Sequence, residues 1–203
     1  MYHCHIQFFL IGKHPQLFEP FKAMPPIEQF TYHFSQGSQP DPTLTAGADV
    51  ILADLRGMDP GQTLAAVNEH RRQDAQLIVL AEREQAACLS GYWNTLTDLW
   101  PLPAPEEELR FRFLRWQQSC TREKDAWQTS QYLEATINST PSLVWFKTKD
   151  GIHEKVNDAF CTTVNKTKQQ VQGRGHAYIW DVDQDDPACI ESERLVMEQE
   201  QTL

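Results

Sequence analysis

Two continuous apolar runs constrain the fold of this chain more than any other feature of its sequence. The run "ADVILADL" covers residues 48–55, and the run "QLIVLAE" covers residues 76–82. Neither run alternates polar with apolar residues, which is the pattern of strands that are buried on both faces. Such strands occur mainly in parallel sheets that carry helices on both sides. We therefore expect a parallel sheet between two layers of helices.

The segments around these runs supply further elements of such a sheet. Three more strands are predicted, the second with one aromatic face: "HIQFFLIG", "IEQFTYHFS" and "LTDLWPLP". Apolar residues at helical spacing predict helices in "HPQLFEPFKAM", "MDPGQTLAAVNEHRRQ" and "REQAACLSGYW". The segment "QGSQPDPTLTAG" is predicted as a loop. Residues 1–104 are thus expected to form a doubly wound α/β domain, with Asp54 at the functional carboxyl edge of its sheet.

Composition changes at Pro105, after which one long helix is predicted. A proline followed by three glutamates suits a helix start, because acidic side chains complement the helix dipole. The 4-3 spacing of a coiled-coil seam then recurs, interrupted by Glu123. We predict a signalling helix over residues 105–132 that pairs with its copy in a homodimer, although packing on the chain's own sheet explains the first half of the pattern equally well. The seam consists of Leu109, Phe113, Trp116, Cys120 and Trp127.

The last third of the chain predicts a hairpin followed by short helices. Asp150-Gly151 is the strongest hairpin signal in the sequence. Asn157 is expected to cap the helix "DAFCTTV", because its side-chain oxygen can accept a backbone N–H of the first turn. The chain then closes with a turn at "GRG", an acidic loop and a helix that carries Ile190 and Leu195.

This last region resembles the first half of a PAS domain. The resemblance rests on "LVWFKTKDG", "IHEKVNDAF" and "TKQQVQGR", while "GRGHAYIWDVDQDD" is similar to PAS domains that precede GGDEF diguanylate cyclase domains in anaerobic bacteria. It implies a partial α+β PAS domain over residues 133–203, since a PAS fold has three further antiparallel strands. The chain is then expected to be the N-terminal part of a longer bacterial signalling protein.

The first domain resembles a receiver domain of two-component signalling by its predicted topology and by Asp54. The resemblance implies that phosphorylation of Asp54 needs an acidic pair after the first strand to hold Mg²⁺, a Ser or Thr after the fourth strand and a Lys after the fifth. These positions hold Gly12-Lys13-His14, Ala81 and Trp100-Pro101. We therefore expect a pseudo-receiver in which Asp54 is a vestigial phosphoacceptor position, with an ion pair to Lys13 as one role for its carboxylate.

The sequence contains no nucleophile elbow, P-loop or dinucleotide fingerprint, so we predict no catalytic residue and no enzyme activity for this chain. His3, Cys4 and His5 do not complete a tetrahedral metal set. The acidic series at Asp181, Asp183, Asp185 and Asp186 lacks the glycine and the glutamate of an EF-hand loop. No metal site is predicted.

Cofactor binding is likewise not expected. His176 is a conceivable haem ligand, but one histidine does not establish a haem pocket. Flavin photochemistry through Cys161 or Cys189 lacks its surrounding motif. An unidentified small ligand of the PAS-like region remains an open alternative, and its cavity would be lined by some of Trp145, Phe160, Val164, Val171, Tyr178 and Ile179.

Charge and cysteine content restrict partners and compartment. The net charge is −10: residues 1–104 hold 6 Lys/Arg and 11 Asp/Glu, and residues 105–203 hold 12 and 17. Neither half has the clustered cations of a nucleic-acid binder. The 5 cysteines lack any CxxC pair and suit reduced thiols in a cytoplasm. The apolar run in "MYHCHIQFFLIG" is too short for a signal peptide or a membrane span.

The sequence as a whole predicts a non-catalytic sensory and regulatory region of bacterial signal transduction. It would relay a signal through the helix and the PAS-like region to an absent output domain such as a GGDEF diguanylate cyclase. Two alternatives stay open at this point. One is a receiver that accepts phosphate at Asp54 in a histidine-kinase pathway, and the other is a plain protein-interaction module.

Overall fold

The computed structural model describes residues 2–183 together with Pro187, Glu191, Arg194 and Leu195. Two compact units divide the chain, unit 1 with residues 1–125 and unit 2 with residues 126–203. The strands of unit 1 are β1 (His5–Ile11), β2 (Thr31–Gly37), β3 (Val50–Asp54), β4 (Gln76–Glu82) and β5 (Asp98–Leu102). Its helices are α1 (Glu19–Lys22), α2 (Pro42–Gly47), α3 (Pro60–His70) and α4 (Arg83–Ala87). Helix α5 (Glu106–Asn138) begins in unit 1 and ends in unit 2.

The five strands of unit 1 form one parallel sheet in the order β2-β1-β3-β4-β5. This confirms the doubly wound sheet predicted from the two apolar runs. The order is the flavodoxin-like one, in which the direction of winding reverses between β1 and β3. Ligand sites of open α/β sheets lie outside the carboxyl ends of the strands at such a reversal.

Both faces of the sheet are covered by apolar side chains. One face carries an aromatic group in which Phe8, Phe21 and Tyr32 pack with Phe113 and Trp116 of α5. The other face packs the opposite side chains of β1, β3 and β4 against α3. Strand β3 is buried along its whole length because it contributes to both layers.

Two elements of unit 1 differ from the sequence-based expectation. Strand β2 begins at Thr31 and not at residue 27, because Glu28 adopts the left-handed region at φ 54° and turns the chain before the strand. The predicted loop at residues 36–47 contains helix α2. Asp41 caps this helix by accepting the N–H of Leu44 at 2.9 Å, and Pro42 occupies the first turn, where its missing N–H costs nothing.

Within residues 139–183, unit 2 contains a two-stranded antiparallel hairpin and three short helices. Its elements are β6 (Trp145–Lys147), β7 (His153–Val156), α6 (Asp158–Val164), α7 (Lys168–Val171) and α8 (His176–Trp180). Gly151 turns the hairpin at φ 76°, and Asn157 caps α6 by accepting the N–H of Phe160 at 3.0 Å. The predicted hairpin and cap are thereby confirmed. The predicted helix position at Ile190 falls outside the described residues.

The hydropathy of the helices shows whether any of them could span a membrane. Within the part of the chain that the structure describes, no helix combines the length and apolar character that crossing a lipid bilayer requires.

Candidate functional site

Asp54 ends β3 at the carboxyl edge of the sheet, beside the point where the strand order reverses. It pairs with Leu80 of β4, and the preceding Ala53 pairs with Ile11 of β1. Its side chain is fully buried. A buried carboxylate is stable only when partners satisfy it, so the groups that contact its two oxygens decide what this site can do.

Arg56 is the main partner of Asp54. Its Nε donates to Oδ1 of Asp54 at 2.9 Å, and its Nη2 donates to Oδ2 at 2.8 Å. The backbone N–H of Arg56 donates to Oδ1 as well, at 3.1 Å. The hydrogen bonds with Asp54 raise the pKa of Arg56 above its ordinary value, against an opposing effect of partial burial. The guanidinium thus forms a bidentate pair that occupies both carboxylate oxygens.

His14 completes the ring of groups around the carboxylate. Its Nδ1 lies 3.2 Å from Oδ2 of Asp54. An ionised carboxylate only accepts hydrogen bonds, so Nδ1 of His14 is the donor. Gly12 permits this close approach, because a Cβ atom on Gly12 would lie 2.9 Å from the Cβ of Asp54. Larger residues at position 12 would force the loop after β1 away from β3.

Lys13 does not pair with Asp54, which corrects the expectation from sequence. Its Nζ donates instead to the carbonyl oxygen of Gly57 in the loop after β3. Lys13 thereby joins the loops that follow β1 and β3, while Arg56 takes the role of counter-ion. Gly57 turns the chain at φ 67°, and its carbonyl oxygen is the acceptor that Lys13 reaches.

The remaining receiver positions hold apolar groups. Ala81 pairs with Pro101 of β5 and is fully buried. The sequence placed the lysine position at Trp100, but β5 runs two residues further and ends at Leu102. Trp100 lies inside the sheet core, where its Nε1 donates to Asp98. No lysine occurs between Leu102 and the start of α5.

The residues of the predicted dimer seam fall into two groups, one buried in unit 1 and one exposed in unit 2. Leu109, Phe113, Trp116 and Cys120 are buried in the core of unit 1 and pack on its sheet. They therefore cannot serve as a dimer seam while unit 1 is folded, and the alternative of a helix packed on its own sheet holds for them. Burial raises the pKa of the Cys120 thiol to about 12, which makes it unreactive. Trp127, in unit 2, is 36% exposed.

The residues predicted to line a cavity in unit 2 likewise fall into a buried group and an exposed group. Phe160, Val164, Val171 and Ile179 pack together with Val156 as a small core. Val171 also borders a pocket whose lining is otherwise mainly polar and includes Glu134, Lys155 and Lys168. The two remaining lining residues, Trp145 and Tyr178, are 48% and 47% exposed.

The other candidate positions do not assemble into a site. His3 contacts Asp49 at 3.3 Å, and the rings of His3 and His5 are 6.5 Å apart. His176 stands at the start of α8 with its ring 6.0 Å from that of Trp180. In the described ranges no group of three His, Cys, Asp or Glu residues could hold a metal ion. Asp185, Asp186 and Cys189 lie outside the described residues.

Sequence reasoning identified Asp54 but missed both of its partners. Arg56 follows Asp54 by two residues, so its proximity is visible in the sequence, but the sequence does not show that its side chain folds back onto the carboxylate. In the sequence, His14 stands where a receiver would have an acidic residue, and nothing there indicates its contact with Asp54. Both signals lay in the loops after β1 and β3, whose conformation no periodicity predicts.

Comparison with known proteins identifies no matching family model and no matching curated protein. Similar solved structures include the REC domain of AraT, a response regulator from Geobacillus stearothermophilus, with 15% identity, a TM-score of 0.45 and coverage of 59% of this chain and 98% of that chain. Full-length FixJ from B. japonicum has 11% identity and a TM-score of 0.46, with coverage of 98% and 91%. The pilus assembly protein CpaE from Caulobacter crescentus has 9% identity and a TM-score of 0.39, with coverage of 53% and 90%.

Unit 1 itself provides the firmer basis for describing its fold. Its strand order is that of flavodoxin and of the receiver CheY, and Asp54 stands at the end of its third strand. Unit 1 is therefore receiver-like in fold, and the carboxylate of Asp54 at the end of its third strand is paired with Arg56.

Proposed function

We propose that this chain is a non-catalytic regulatory region of a bacterial signal-transduction protein, in which the receiver-like unit 1 acts without phosphorylation of Asp54. The observation that carries the proposal is the bidentate Arg56 guanidinium on both oxygens of Asp54. A phosphoryl group or a metal ion would have to displace that guanidinium from a fully buried carboxylate.

The groups around Asp54 also have the wrong charge for Mg²⁺. This ion requires near-octahedral oxygen ligands, usually from carboxylates and water. The loop after β1 offers Lys13 and His14, and the loop after β3 adds Arg56. Nitrogen donors hold both oxygens of Asp54, so its carboxylate functions as a structural pair between the two loops.

The test is a titration of the full chain with Mg²⁺ and beryllofluoride, a phosphoryl mimic, followed by ¹H–¹⁵N NMR. We expect no saturable shift at Asp54, Gly57 or Ala81 in the wild-type chain. Saturable shifts at these residues would overturn the proposal. Arg56→Gln serves as the matched variant: binding that appears only there would identify Arg56 as the group that closes the site, in agreement with the proposal.

The identity of unit 2 and of the output forms a second part of the proposal. We assign unit 2 to the first half of a PAS domain, followed by a GGDEF diguanylate cyclase. Support comes from the order of hairpin, Asn157 cap and short helices, together with the sequence likeness. Sequencing the coding region after Leu203 and assaying its product for cyclic di-GMP formation from GTP tests the output. A different output domain would overturn the cyclase assignment while leaving the role of unit 1 intact.

Association of two copies through α5 is proposed only for its part in unit 2. Exposed apolar residues there are Trp127, Tyr132 and Leu133. Sedimentation at several concentrations should show a dimer that Trp127→Glu weakens. The control is Gln131→Glu, which adds the same charge at another exposed position of α5. A monomeric wild type, or equal effects of both variants, would remove the helix as the dimer contact.

The phosphoaccepting receiver remains the second candidate, because Asp54 stands at the phosphoacceptor position of a receiver-like fold. It requires Arg56 to leave the carboxylate when a donor binds. The beryllofluoride titration separates this candidate from the first. A plain interaction module predicts neither anion binding nor a defined output domain.

A further inference from the structure

Asn157 is a fully buried polar side chain of unit 2 whose carboxamide bonds to several backbone groups. Its Oδ1 accepts the backbone N–H of Val144 at 3.1 Å and of Phe160 at 3.0 Å. Its Nδ2 donates to the carbonyl oxygens of Ile137 at 3.0 Å and Ser142 at 2.8 Å. A carboxamide has two N–H donors and two acceptor lone pairs, so these bonds use all four. Capping of α6 accounts for only one of them.

The bond to Ile137 reaches the end of α5. The last four carbonyls of a helix lack partners within it, and Ile137 supplies one of these. The contact is reciprocal, because Oδ1 of Asn138 accepts the N–H of Asp158, the first residue of α6, at 2.8 Å. The end of α5 and the start of α6 therefore cap each other. The bond from the N–H of Val144 to Asn157 connects the segment before β6 to the same junction.

Glu134 strengthens this junction one turn earlier in α5. Its two carboxylate oxygens contact Nζ of Lys168 at 2.5 Å and Nζ of Lys155 at 3.1 Å. Lys168 also contacts Asp158 at 2.8 Å. Partly exposed pairs contribute little one by one, but these three link α5 to β7, α6 and α7. These contacts of α5 begin at Glu134, because residues 129–133 immediately before it are exposed.

We propose that residues 134–138 of α5 and the hairpin of unit 2 form one two-state element, latched by the carboxamide of Asn157. If the end of α5 rotates or shifts, the bond to Ile137 breaks, and Nδ2 of this buried carboxamide keeps only the carbonyl oxygens of Ser142 at 2.8 Å and Thr140 at 3.5 Å. The same carboxamide holds Val144 and Phe160, so the approach to β6 and the cap of α6 open in the same step. This latch rests on the proposed function, in that it supplies the means by which unit 2 senses the position of α5.

The test is amide hydrogen exchange of the full chain in wild type and two variants. Asn157→Asp keeps acceptor oxygens and loses the amide N–H donors to Ile137 of α5 and to Ser142. Asn138→Ala removes the reciprocal bond from the other side while Asn157 stays intact. We expect both variants to exchange about tenfold faster in residues 134–138 and in residues 143–147 together, because each loses a hydrogen bond at the junction. Exchange in β3 should stay unchanged.

Thr167→Ala is the matched control. Thr167 caps α7 in the same unit, where its hydroxyl bonds with Gln170 of α7. Its loss should speed exchange only near residues 167–171. The latch is overturned if Asn138→Ala speeds exchange at residues 134–138 alone, or if Asn157→Asp does so at residues 157–161 alone. Should Asn157→Asp unfold unit 2, the Asn138→Ala result still decides.

Failure of the latch and failure of the proposed function give different results. Uncoupled exchange would show that Asn157 is only a helix cap, whatever the state of Asp54. Binding of a phosphoryl mimic at Asp54 would overturn the proposed function, whether or not exchange at the two segments is coupled.

Discussion

Phe113 in unit 1 and Phe160 in unit 2 are equally buried, yet their surroundings differ greatly. Phe113 lies between α5 and a five-stranded sheet, with ring centroids at 5.4 Å from Phe21 and 5.3 Å from Trp116. Phe160 belongs to a small core below a two-stranded hairpin. Two of its aromatic neighbours, Trp145 and Trp180, are 48% and 39% exposed.

This difference shows what holds each unit together. Unit 1 buries both faces of its sheet, so its stability comes from layered apolar packing. A two-stranded hairpin is marginal by itself in water, and three or more strands or a packed helix are needed for independent stability. We therefore expect the polar junction at Asn157 to contribute a larger share of the stability of unit 2 than the pair of Asp54 and Arg56 contributes to unit 1.

The largest expected difference between the units is in hydrogen exchange. Strands β3 and β4 should exchange only by global unfolding, whereas residues 145–156 should open locally and exchange at least about a thousandfold faster. Mass spectrometry of peptides from both regions measures this directly. Equal protection in a monomeric sample would mean that the hairpin is as stable as the sheet, and the contrast between the units would fail.

A substitution in the packed core of unit 1 should have the next largest effect. Phe113→Ala should lower the free energy of unfolding by about 3–5 kcal/mol, because it leaves a cavity among aromatic rings. Urea denaturation followed by tryptophan fluorescence measures the change. Phe111→Ala is the control, since Phe111 on the same helix is 61% exposed. Similar losses in both variants would contradict the packing of α5 described for unit 1.

Removal of the counter-ion of Asp54 should cost less. Arg56→Gln should destabilise unit 1 by about 1–3 kcal/mol, since it leaves the buried carboxylate with His14 and one backbone N–H. The double variant Asp54→Asn with Arg56→Gln should recover part of this loss, because no unpaired charge remains. If the double variant is as unstable as the sum of the two single variants, the pair makes no specific contribution to the fold.

The smallest expected effect concerns Glu134 and pH. The hydrogen bond from Lys168, together with Lys155, lowers the pKa of Glu134 below its ordinary value of 4.5, against some desolvation. A lowered folded pKa gives stability that is present above pH 4.5 and is lost as the pH falls through the folded pKa. Glu134→Gln should therefore reduce the acid sensitivity of unit 2 between pH 5 and pH 3. Glu154→Gln, at an exposed site of the same unit, should leave the acid sensitivity unchanged. Equal effects of the two variants would exclude the ion pairs of Glu134 as the cause.

The sequence predicted the elements that depend on local patterns. Apolar runs predicted β3 and β4, and Asp150-Gly151 and Asn157 predicted the hairpin and its cap. Helix α2 was missed because its proline and glycine content resembles a loop, although Asp41-Pro42 is a good helix start. The 4-3 spacing in α5 could not show whether Phe113 faces a sheet or a second helix, since both surfaces demand the same residues.

The candidate site was predictable only in part, for a physical reason. The position of Asp54 follows from the end of an apolar strand. Its pairing with Arg56 and not with Lys13 depends on the conformations of the loops after β1 and β3, which the sequence pattern does not specify. The end of β5 at Leu102, two residues beyond Trp100, was also not predictable, because the prolines in "LWPLP" obscure where this edge strand ends.

The central claim, that Asp54 is held by Arg56 and accepts no phosphate, is tested most directly by intact mass. The wild-type chain and Asp54→Asn are incubated with acetyl phosphate and Mg²⁺ at neutral pH, and their masses are recorded over time. The account predicts no gain of a phosphate in either protein. A gain of one phosphate in the wild type that is absent in Asp54→Asn would contradict it and would establish unit 1 as a phosphoaccepting receiver.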